Sequence, residues 1–220
     1  EKPVQQPLPQ RVGGFGGVAG LVAYVRAHGV THVVDATHPF AAQMSRNAVS
    51  ACAEAGVPLI ALTRAPWQAQ SGDRWTHVPD IAGAVSALKR PAARVMLAIG
   101  RMHLNDFAAH PQHFYLLRLV GAPDSVLPFP DHAVVQARGP FTVADDLALM
   151  RHHKIDLLVS KNAGGAGAAA KIAAARRLGL PVIMIDRPAL PDRLEAHTPQ
   201  EILAWLGHSK PDLAGTDLGV

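Results

Sequence analysis

Cysteine is almost absent from this sequence. Cys52 is the single cysteine in 220 residues, so the chain can form neither an internal disulfide framework nor a cysteine metal site. It also falls on the apolar face of a predicted helix. Such sparing use of cysteine is typical of a reducing compartment, and we expect a cytoplasmic protein.

Long apolar runs and blocks of basic residues are also missing. No run approaches the roughly 20 residues of a membrane span, and the first residues do not resemble a signal peptide. Lys and Arg outnumber Asp and Glu by 21 to 17, but they form no cluster that would follow a nucleic-acid backbone. We therefore expect neither a membrane nor a nucleic-acid partner, whereas the modest positive excess suits a small anionic ligand.

The common catalytic motifs are absent as well. The 12 histidines are scattered, with His152–His153 as the only adjacent pair, and no H-E-x-x-H or P-loop occurs. No serine–histidine–aspartate order or paired-carboxylate spacing can be assembled from the polar turns. Hydrolytic mechanisms are thus unsupported, and neither a metal nor a catalytic residue is assigned. A redox cofactor would need no such side chains, because it brings its own reactive hydride.

The sequence does contain a repeated pattern of apolar strand, polar turn and amphipathic helix. It is 49% hydrophobic and 17% charged, and the pattern predicts an α/β fold with mainly parallel sheets. Gly56-Val57-Pro58-Leu59-Ile60 in the first half is echoed by Gly179-Leu180-Pro181-Val182-Ile183 in the second. We predict two domains, residues 1–91 and 92–208, with a cleft between them and a loose tail at 209–220. One continuous sheet is the alternative.

Hydrophobic periodicity places the individual elements. After the first short strand at Val33, strands are predicted at 57–62, 75–78, 95–100, 114–119, 133–136, 155–159 and 181–185. Thr142, with Asp145 three residues later, resembles a capping box for a helix, and Thr198-Pro199-Gln200-Glu201 starts the final helix. An alanine-rich helix is predicted over 166–177.

The most informative stretch begins at the apolar pair Val33-Val34. A polar turn, residues 35–38, follows it; Pro39 suits a first helical turn, and Gly56 offers a left-handed stop. Backbone N–H groups and the positive end of a helix dipole would then lie at the carboxyl edge of a strand, where open α/β sheets bind anionic ligands. A plain structural role, with Asp35 and Thr37 capping the helix, is the alternative.

Other turns carry similar signals. The glycine cluster at 13–17 either brings backbone close to a ligand or makes a tight turn. The turn at 35–38 has its counterpart in the second half in the turn at 160–165. There Lys161 could neutralise a carboxylate or phosphate, or be a solvated lysine. Arg118 lies in an apolar strand and so needs an acidic partner, an anionic ligand or a strand end. We interpret Trp67 as a loop anchor in preference to a stacking platform.

Together these segments resemble the precorrin-6A reductase family of cobalamin (vitamin B12) biosynthesis. The resemblance is carried by RVGGFGG at 11–17, DATHPFA at 35–41 with Ser45 and Asn47, and KNAGG at 161–165. It implies two Rossmann-like domains and the reduction of one double bond of precorrin-6A to give precorrin-6B. The family's nicotinamide cofactor implies NADPH here, and the residues do not exclude NADH.

The resemblance also implies roles for particular residues. The cofactor would lie near the N-terminal glycine loop and the first polar turn, at Gly13, Gly14, Phe15, Gly16, Thr37, His38 and Pro39. The substrate would be an anionic tetrapyrrole with acetate and propionate side chains, bound by Arg64, Arg118, Lys161, Asn162, Gly164 and Arg187. We assign His38 no proton-donating role, because a histidine ahead of a helix start has its pKa lowered by the dipole.

One departure from the family pattern concerns the cofactor. Family members begin with a strand, a glycine loop, a helix and a second strand, all of which would precede Glu1. We expect the natural protein to carry this βαβ unit, because a parallel sheet without it would leave a face uncovered. The alternative is a fragment that does not bind the cofactor by itself. The unit would hold much of the dinucleotide phosphate, so the choice of NADPH rests on the family alone.

A competing function of a different class fits the same turns and glycines. A non-catalytic module of two α/β lobes could close on an anionic nucleotide or tetrapyrrole. Only the reductase would consume reduced nicotinamide when a precorrin is present. The oligomeric state is not assigned.

Overall fold

The computed structural model describes residues 8–123 and 125–208. Its helices, in chain order, are α1 (Gly17–Ala27), α2 (Ala42–Ala55), α3 (Ile81–Ala87), α4 (Val143–His152), α5 (Ala170–Arg177) and α6 (Pro199–His208). Its strands are β1 (Val33–Asp35), β2 (Leu59–Leu62), β3 (Arg74–Val78), β4 (Arg94–Ala98), β5 (Phe114–Leu119), β6 (His132–Gln136), β7 (Leu157–Lys161), β8 (Pro181–Ile185) and β9 (Leu194–Ala196). Two short 3-10 turns, Arg101–His103 and Asn105–Ala109, follow β4. The predicted tail at 209–220 lies outside the described residues.

The strands form two separate parallel sheets. One has three strands in the order β1-β2-β9, and the other has six in the order β3-β8-β7-β4-β5-β6. Every strand pair in both is parallel. The predicted α/β class with parallel sheets is confirmed, and the alternative of one continuous sheet is excluded for the described residues. None of their helices has the length and apolarity that crossing a bilayer requires.

The chain divides into two compact units. The first comprises the described residues up to Thr63 and from Leu190 onward, and the second runs from Arg64 to Ala189. This division differs from the boundary predicted near residue 91. The reason is strand pairing between distant segments: β3 pairs with β8, which draws 74–78 into the second unit, and β9 pairs with β2, which returns the chain to the first. Local periodicity does not encode such partners.

In the first unit, helices cover both faces of the sheet. Side chains of α1 and α2, including Leu21, Val25 and Ala48, pack together with Val33 and Leu59. On the opposite face α6 packs against β2 and β9 through Ile60, Ala196 and Ile202. Burial on both faces is what a parallel sheet requires.

The larger sheet of the second unit is covered in the same way. One face packs against α4 and α5 through a buried cluster of Met96, Leu116, Met150, Leu158, Ile172, Val182 and Met184. On strand β5 the fully buried Tyr115 turns the other way and donates its hydroxyl hydrogen towards the carbonyl oxygens of Phe107 (3.3 Å) and His110 (3.0 Å). These bonds tie the second 3-10 turn to the sheet.

The predicted helix caps are confirmed, but two helix starts are corrected. Thr142 Oγ1 accepts a hydrogen bond from Asp145 N at 3.1 Å, and Thr198 Oγ1 accepts one from Glu201 N at 3.2 Å. In contrast, α2 begins at Ala42, so Pro39 does not lie in its first turn. Pro39 belongs to a separate turn that is closed by a 2.7 Å hydrogen bond from Ala41 N to His38 O. The alanine-rich helix α5 likewise begins at residue 170, four residues later than predicted.

The start of α1 depends on a close backbone approach. Gly16 precedes the helix in the left-handed conformation, with φ of +82°. The chain folds so tightly that a Cβ added to Gly20 would collide with the carbonyl oxygen of Phe15. Gly20 therefore lets the glycine loop rest against the first turn of the helix.

Alanine at Gly20 should therefore be destabilising, although alanine normally favours a helix. We expect Gly20→Ala to lower the free energy of unfolding by about 1–3 kcal/mol, the range for forced overpacking. Gly207→Ala is the matched control in α6, because nothing lies within 4 Å of its added Cβ. The control should be neutral or stabilising by up to about 1 kcal/mol. Urea denaturation checks both, and equal behaviour of the two variants would contradict the packing described.

Candidate functional site

The carboxyl edge of the three-stranded sheet gathers the first group of predicted residues. Strand β1 ends at Asp35 and is followed by the turn at 36–41 and then by α2. Helix α1 packs beside α2 and leads back to the start of β1, so its N-terminus and the glycine loop lie at this same edge. In open α/β sheets this edge is where ligands bind.

Asp35 holds the turn that follows β1. This carboxylate is only 7% exposed. Its Oδ1 accepts hydrogen bonds from Thr37 N (3.0 Å) and Thr37 Oγ1 (2.6 Å). Its Oδ2 accepts from Ser45 Oγ (2.6 Å) and from the Arg193 guanidinium (2.8 Å). The hydroxyl of Thr37 thus serves the protein's own turn, and Arg193 joins that turn to the chain just before β9.

These contacts also set the charge of Asp35. Burial on its own would raise the pKa of this carboxyl, but the hydrogen bonds from Ser45 and Thr37 outweigh it, and the Arg193 guanidinium helps. The pKa of Asp35 is therefore lowered, and the group is a carboxylate at neutral pH. At neutral pH the charged Asp35 keeps its hydrogen-bonding neighbours in one arrangement.

The exposed part of the turn lies at Thr37 and His38. The ring of His38 accepts a hydrogen bond at Nδ1 from Phe40 N (3.2 Å). A nitrogen that accepts carries no proton, so this contact fits a neutral imidazole.

The glycine loop offers a bare backbone surface next to the start of α1. Gly13 and Gly16 have positive φ angles of +111° and +82°, and a Cβ added to Gly13, Gly14 or Gly16 would meet nothing within 4 Å. Arg11 donates to the carbonyl oxygens of Gly13 (3.2 Å) and Gly14 (2.9 Å), and its guanidinium lies 4.4 Å from the centre of the Phe15 ring. Exposed backbone, a helix start and a nearby cation suit the phosphates of a dinucleotide.

Removing the charge of Asp35 should destabilise the first unit in a pH-dependent way. Asp35→Asn leaves Arg193 buried without its main partner, and we expect a loss of about 3 kcal/mol at pH 7. Because the folded pKa of Asp35 is depressed, its contribution is complete above the unfolded pKa of about 4 and is lost as the pH falls towards the folded pKa. The difference in the free energy of unfolding between wild type and Asp35→Asn should therefore become smaller at acid pH.

Asp106→Asn provides the control, because Asp106 forms an exposed pair with His103 and should matter by less than about 1 kcal/mol. Urea denaturation at several pH values is the measurement. If the difference in free energy of unfolding between wild type and Asp35→Asn stays constant down to low pH, the charge of Asp35 does not stabilise the protein.

The turn after β7 forms the corresponding edge of the six-stranded sheet. Asn162 is buried, and its side chain pairs with the backbone of Trp67: Oδ1 accepts from Trp67 N at 2.8 Å and Nδ2 donates to Trp67 O at 3.1 Å. The indole Nε1 of Trp67 donates to Gly165 O at 2.8 Å. Trp67 is thus a loop anchor, and Asn162 fastens the segment after β2 to the β7 turn.

Two more of the predicted substrate residues also shape this turn. Arg187 donates to the carbonyl oxygens of Asn162 and Ala163, both at 3.0 Å. Gly164 has a φ of +69°, and a Cβ there would collide with the Ala65 carbonyl oxygen and the Arg187 guanidinium. The structure therefore brings Asn162, Gly164 and Arg187 together, and the contacts described for each of them are to other parts of the protein.

Of the remaining predicted cations, Arg64 and Lys161 lie beside the cluster formed by Asn162, Gly164 and Arg187, whereas Arg118 does not. Arg64 lies next to the β7 turn, where a Cβ added to Gly165 would be 2.6 Å from its Cδ. Lys161 is the last residue of β7; it is half-buried, and burial lowers its pKa. Arg118 is not part of the cluster, because its guanidinium pairs with the buried Asp146 of α4. The acidic partner expected for a charge in an apolar strand is thus present.

Lys171 is a functional candidate that the sequence did not reveal. It lies in the first turn of α5, donates to Ala168 O at 2.7 Å and is 4.9 Å from the centre of the Trp67 ring. Burial lowers its pKa to about 8, with the Arg118 guanidinium adding to the shift and the Asp146 carboxylate opposing it. A lone lysine at the start of an alanine-rich helix, opposed to the helix dipole, is the signal that could have found it.

Comparison with known proteins decides the family. A family model described as precorrin-6x reductase CbiJ/CobK matches residues 1–207. The chain belongs to the precorrin-6x reductase family. The resemblance stated from the sequence motifs is therefore confirmed.

Individual precorrin-6x reductases show the same similarity. The precorrin-6A reductase of Rhodobacter capsulatus is 64% identical over 204 residues, which cover 93% of this chain and 81% of that protein. The precorrin-6A reductase of Rhodococcus erythropolis is 46% identical, covering 90% of this chain and 79% of that protein. A solved structure of CobK precorrin-6A reductase superimposes with a TM-score of 0.90 at 64% identity, covering 92% of this chain and 83% of that one. This likeness supports the α/β fold described above.

Membership of the precorrin-6x reductase family does not assign roles to single residues. The candidate cofactor and substrate residues named from the sequence stay predictions. Among the described residues, no group of three or more His, Cys, Asp and Glu side chains gathers closely enough to hold a metal ion.

Lys171 itself leads to a stability prediction. Its folded pKa of about 8 lies below the ordinary 10.5, so between these values the folded protein binds fewer protons than the unfolded chain. The charge of Lys171 therefore lowers the free energy of unfolding by its full amount below pH 8, and this cost disappears as the pH rises towards 10.5. Lys171→Met should therefore raise the free energy of unfolding by about 2–3 kcal/mol at pH 7, and this gain should shrink at pH 10.

Lys89→Met is the control for this prediction, because Lys89 is an exposed lysine of the same unit. It should show no pH-dependent gain in urea denaturation. If Lys171→Met is less stable than wild type at both pH values, the ammonium group contributes to stability and the interpretation is wrong.

Proposed function

We propose that this protein reduces the precorrin-6A macrocycle to precorrin-6B with NADPH. Family membership makes the chain an oxidoreductase of cobalamin biosynthesis. The observation that carries the proposal is the 64% identity to a precorrin-6A reductase over 204 residues, which make up 93% of this chain.

A metal-free substrate is the better supported choice within this proposal. The relatives named precorrin-6A reductase in Rhodobacter capsulatus and Rhodococcus erythropolis are 64% and 46% identical to this chain. The cobalt-precorrin-6A reductase of Priestia megaterium is 33% identical over 180 residues. The identities therefore favour precorrin-6A over its cobalt complex.

The cofactor is proposed to lie at the carboxyl edge of the first unit. The backbone of Gly13, Gly14 and Gly16 would approach its phosphates, next to Phe15 and the start of α1. Thr37, His38 and Pro39 would contact it from the turn that Asp35 fixes. The bound nicotinamide supplies the hydride, and the role of these residues is to hold and orient it. The preference for NADPH over NADH is taken from the family.

The anionic macrocycle is proposed to bind at the carboxyl edge of the second unit. Lys161 is the principal candidate for a direct contact, with Arg64 beside the same turn. Asn162, Gly164 and Arg187 act indirectly, because they keep the turn in the shape that presents Lys161. A cation at a strand end, ahead of a helix start, attracts carboxylate groups.

The direct test is an assay for cofactor consumption. The full-length protein is mixed with precorrin-6A and NADPH, and the fall in NADPH absorbance is followed together with product mass. We expect one NADPH oxidised for each precorrin-6A reduced, with slower turnover on NADH and on the cobalt complex. Binding of both ligands without any oxidation would instead identify the non-catalytic two-lobed module.

Lys161→Ala tests the substrate side of the proposal. We expect the KM for precorrin-6A to rise about 3–10-fold, and turnover to become less sensitive to salt, because a screened attraction has been removed. Lys89→Ala removes a positive charge elsewhere on the same unit and should leave both quantities unchanged. Steady-state kinetics at two ionic strengths will decide, and an unchanged KM in Lys161→Ala would make Lys161 a surface lysine.

A further inference from the structure

A buried cluster in the second unit holds more positive than negative charge. Arg118 from β5 and Asp146 from α4 form an ion pair whose side chains are 11% and 1% exposed. Lys171 from α5 is the third member, and it is 6% exposed. Both the Arg118 guanidinium and the Asp146 carboxylate act on the charge of Lys171, so two cations and one carboxylate share surroundings where an uncompensated charge is costly.

The hydrogen bonds of the cluster are incomplete. Among the described residues, Asp146 is the only side-chain acceptor bonded to Arg118, through one carboxylate oxygen. The other oxygen, Oδ2, has no hydrogen-bond partner in the described part of the chain. Lys171 bonds the carbonyl oxygen of Ala168 and forms no ion pair with a described carboxylate. Lys171 is therefore not simply the second partner of Asp146, and donors of both cations remain available.

The position of Lys171 adds to this imbalance. It lies in the first turn of α5, where the helix dipole already favours a negative charge and disfavours a lysine. Arg118 is the next-to-last residue of β5, and Lys161 ends β7 in the same sheet. Both strands are parallel, so these cations share the carboxyl edge where the turn after β7 lies.

Two aromatic rings border the cations. The guanidinium carbon of Arg118 lies 3.7 Å from the centre of the Phe141 ring, and the ammonium of Lys171 lies 4.9 Å from that of Trp67. Apolar walls around two donors with unused hydrogens suit a carboxylate carried on a larger flat molecule. A free inorganic anion would make no use of the rings.

We propose that Arg118 and Lys171 form a binding site for one carboxylate side chain of the tetrapyrrole substrate, with Asp146 as the residue that positions Arg118. The site rests on the proposed function for the identity of its ligand. It explains why a lysine is kept where burial, a neighbouring guanidinium and a helix dipole all oppose its charge. The carboxylate supplies the missing negative charge and accepts the unused hydrogens.

The test compares Lys171→Met, Arg118→Lys and the control Lys89→Met with wild type, all as full-length protein. The probe is uroporphyrin, a stable tetrapyrrole with acetate and propionate side chains, and its binding is followed by quenching of tryptophan fluorescence. We expect Lys171→Met to weaken uroporphyrin binding at least about tenfold, a ratio equivalent to about 1.4 kcal/mol. Arg118→Lys keeps a cation beside Asp146 but loses the planar fork, and it should weaken binding several-fold.

Steady-state kinetics on precorrin-6A then separate binding from a general structural effect. A carboxylate contact predicts a raised KM with kcat within about twofold of wild type, whereas a distorted site would lower kcat. Wild-type affinity and KM in both folded variants would overturn the proposal. If Lys171→Met does not fold, Arg118→Lys decides alone.

The two proposals can fail separately. A wild-type protein that binds uroporphyrin through these cations but does not oxidise NADPH with precorrin-6A would support the carboxylate site and reject the reductase. A wild-type protein that reduces precorrin-6A while both variants keep normal KM values would reject the carboxylate site and support the reductase.

Discussion

The parallel direction of all the strands is the constraint on which the rest of the described structure depends. Parallel neighbours cannot be joined by a tight hairpin, so the chain must cross over between them. The crossovers supply α2 in the first unit and α3, α4 and α5 in the second, while α1 before the first strand and α6 after the last complete the cover of the smaller sheet. They also send every strand out at the same edge, which is why turns far apart in the sequence, such as those after β1 and β7, occupy equivalent places in the two units.

The polar residues of those turns mostly serve to hold the turns themselves. Asp35 gathers four hydrogen bonds from Thr37, Ser45 and Arg193. Asn162 binds the backbone of Trp67 in both directions. An exposed backbone surface is useful to a ligand only if it keeps one shape, and buried side chains fix that shape here. Residues that make a motif recognisable are therefore not always the ones that would touch the ligand.

Hydrophobic periodicity was sufficient for much of the fold. Strand β5 has the predicted bounds, and the caps at Thr142 and Thr198 form as expected, because each depends on neighbours within a few residues. The division into units could not be predicted, since it depends on which distant strands pair. Strand β9 has three residues and gives no detectable period.

The candidate site shows the same limit. Glycines and lysines of the turns could be identified from their types, but the partners of Asn162 and Arg187 lie in other segments. Lys171 lies within a run of alanines, and little in its own segment marks it as important. Its significance comes from Arg118 in β5 and Asp146 in α4, which lie far from it in the sequence. Sequence spacing indicates which residues lie in the same helix or strand. The charged partner of a residue depends instead on which helices and strands pack together.

The discontinuous first unit has a consequence for folding during synthesis. The second unit is a single continuous segment from Arg64 to Ala189, so it can complete its sheet as soon as β8 has left the ribosome. The first unit must wait for β9 and α6, and until then one edge of β2 and one face of its sheet stay open to solvent. The first unit begins synthesis earlier but finishes folding later, and its exposed strand edge is the part most in need of a chaperone.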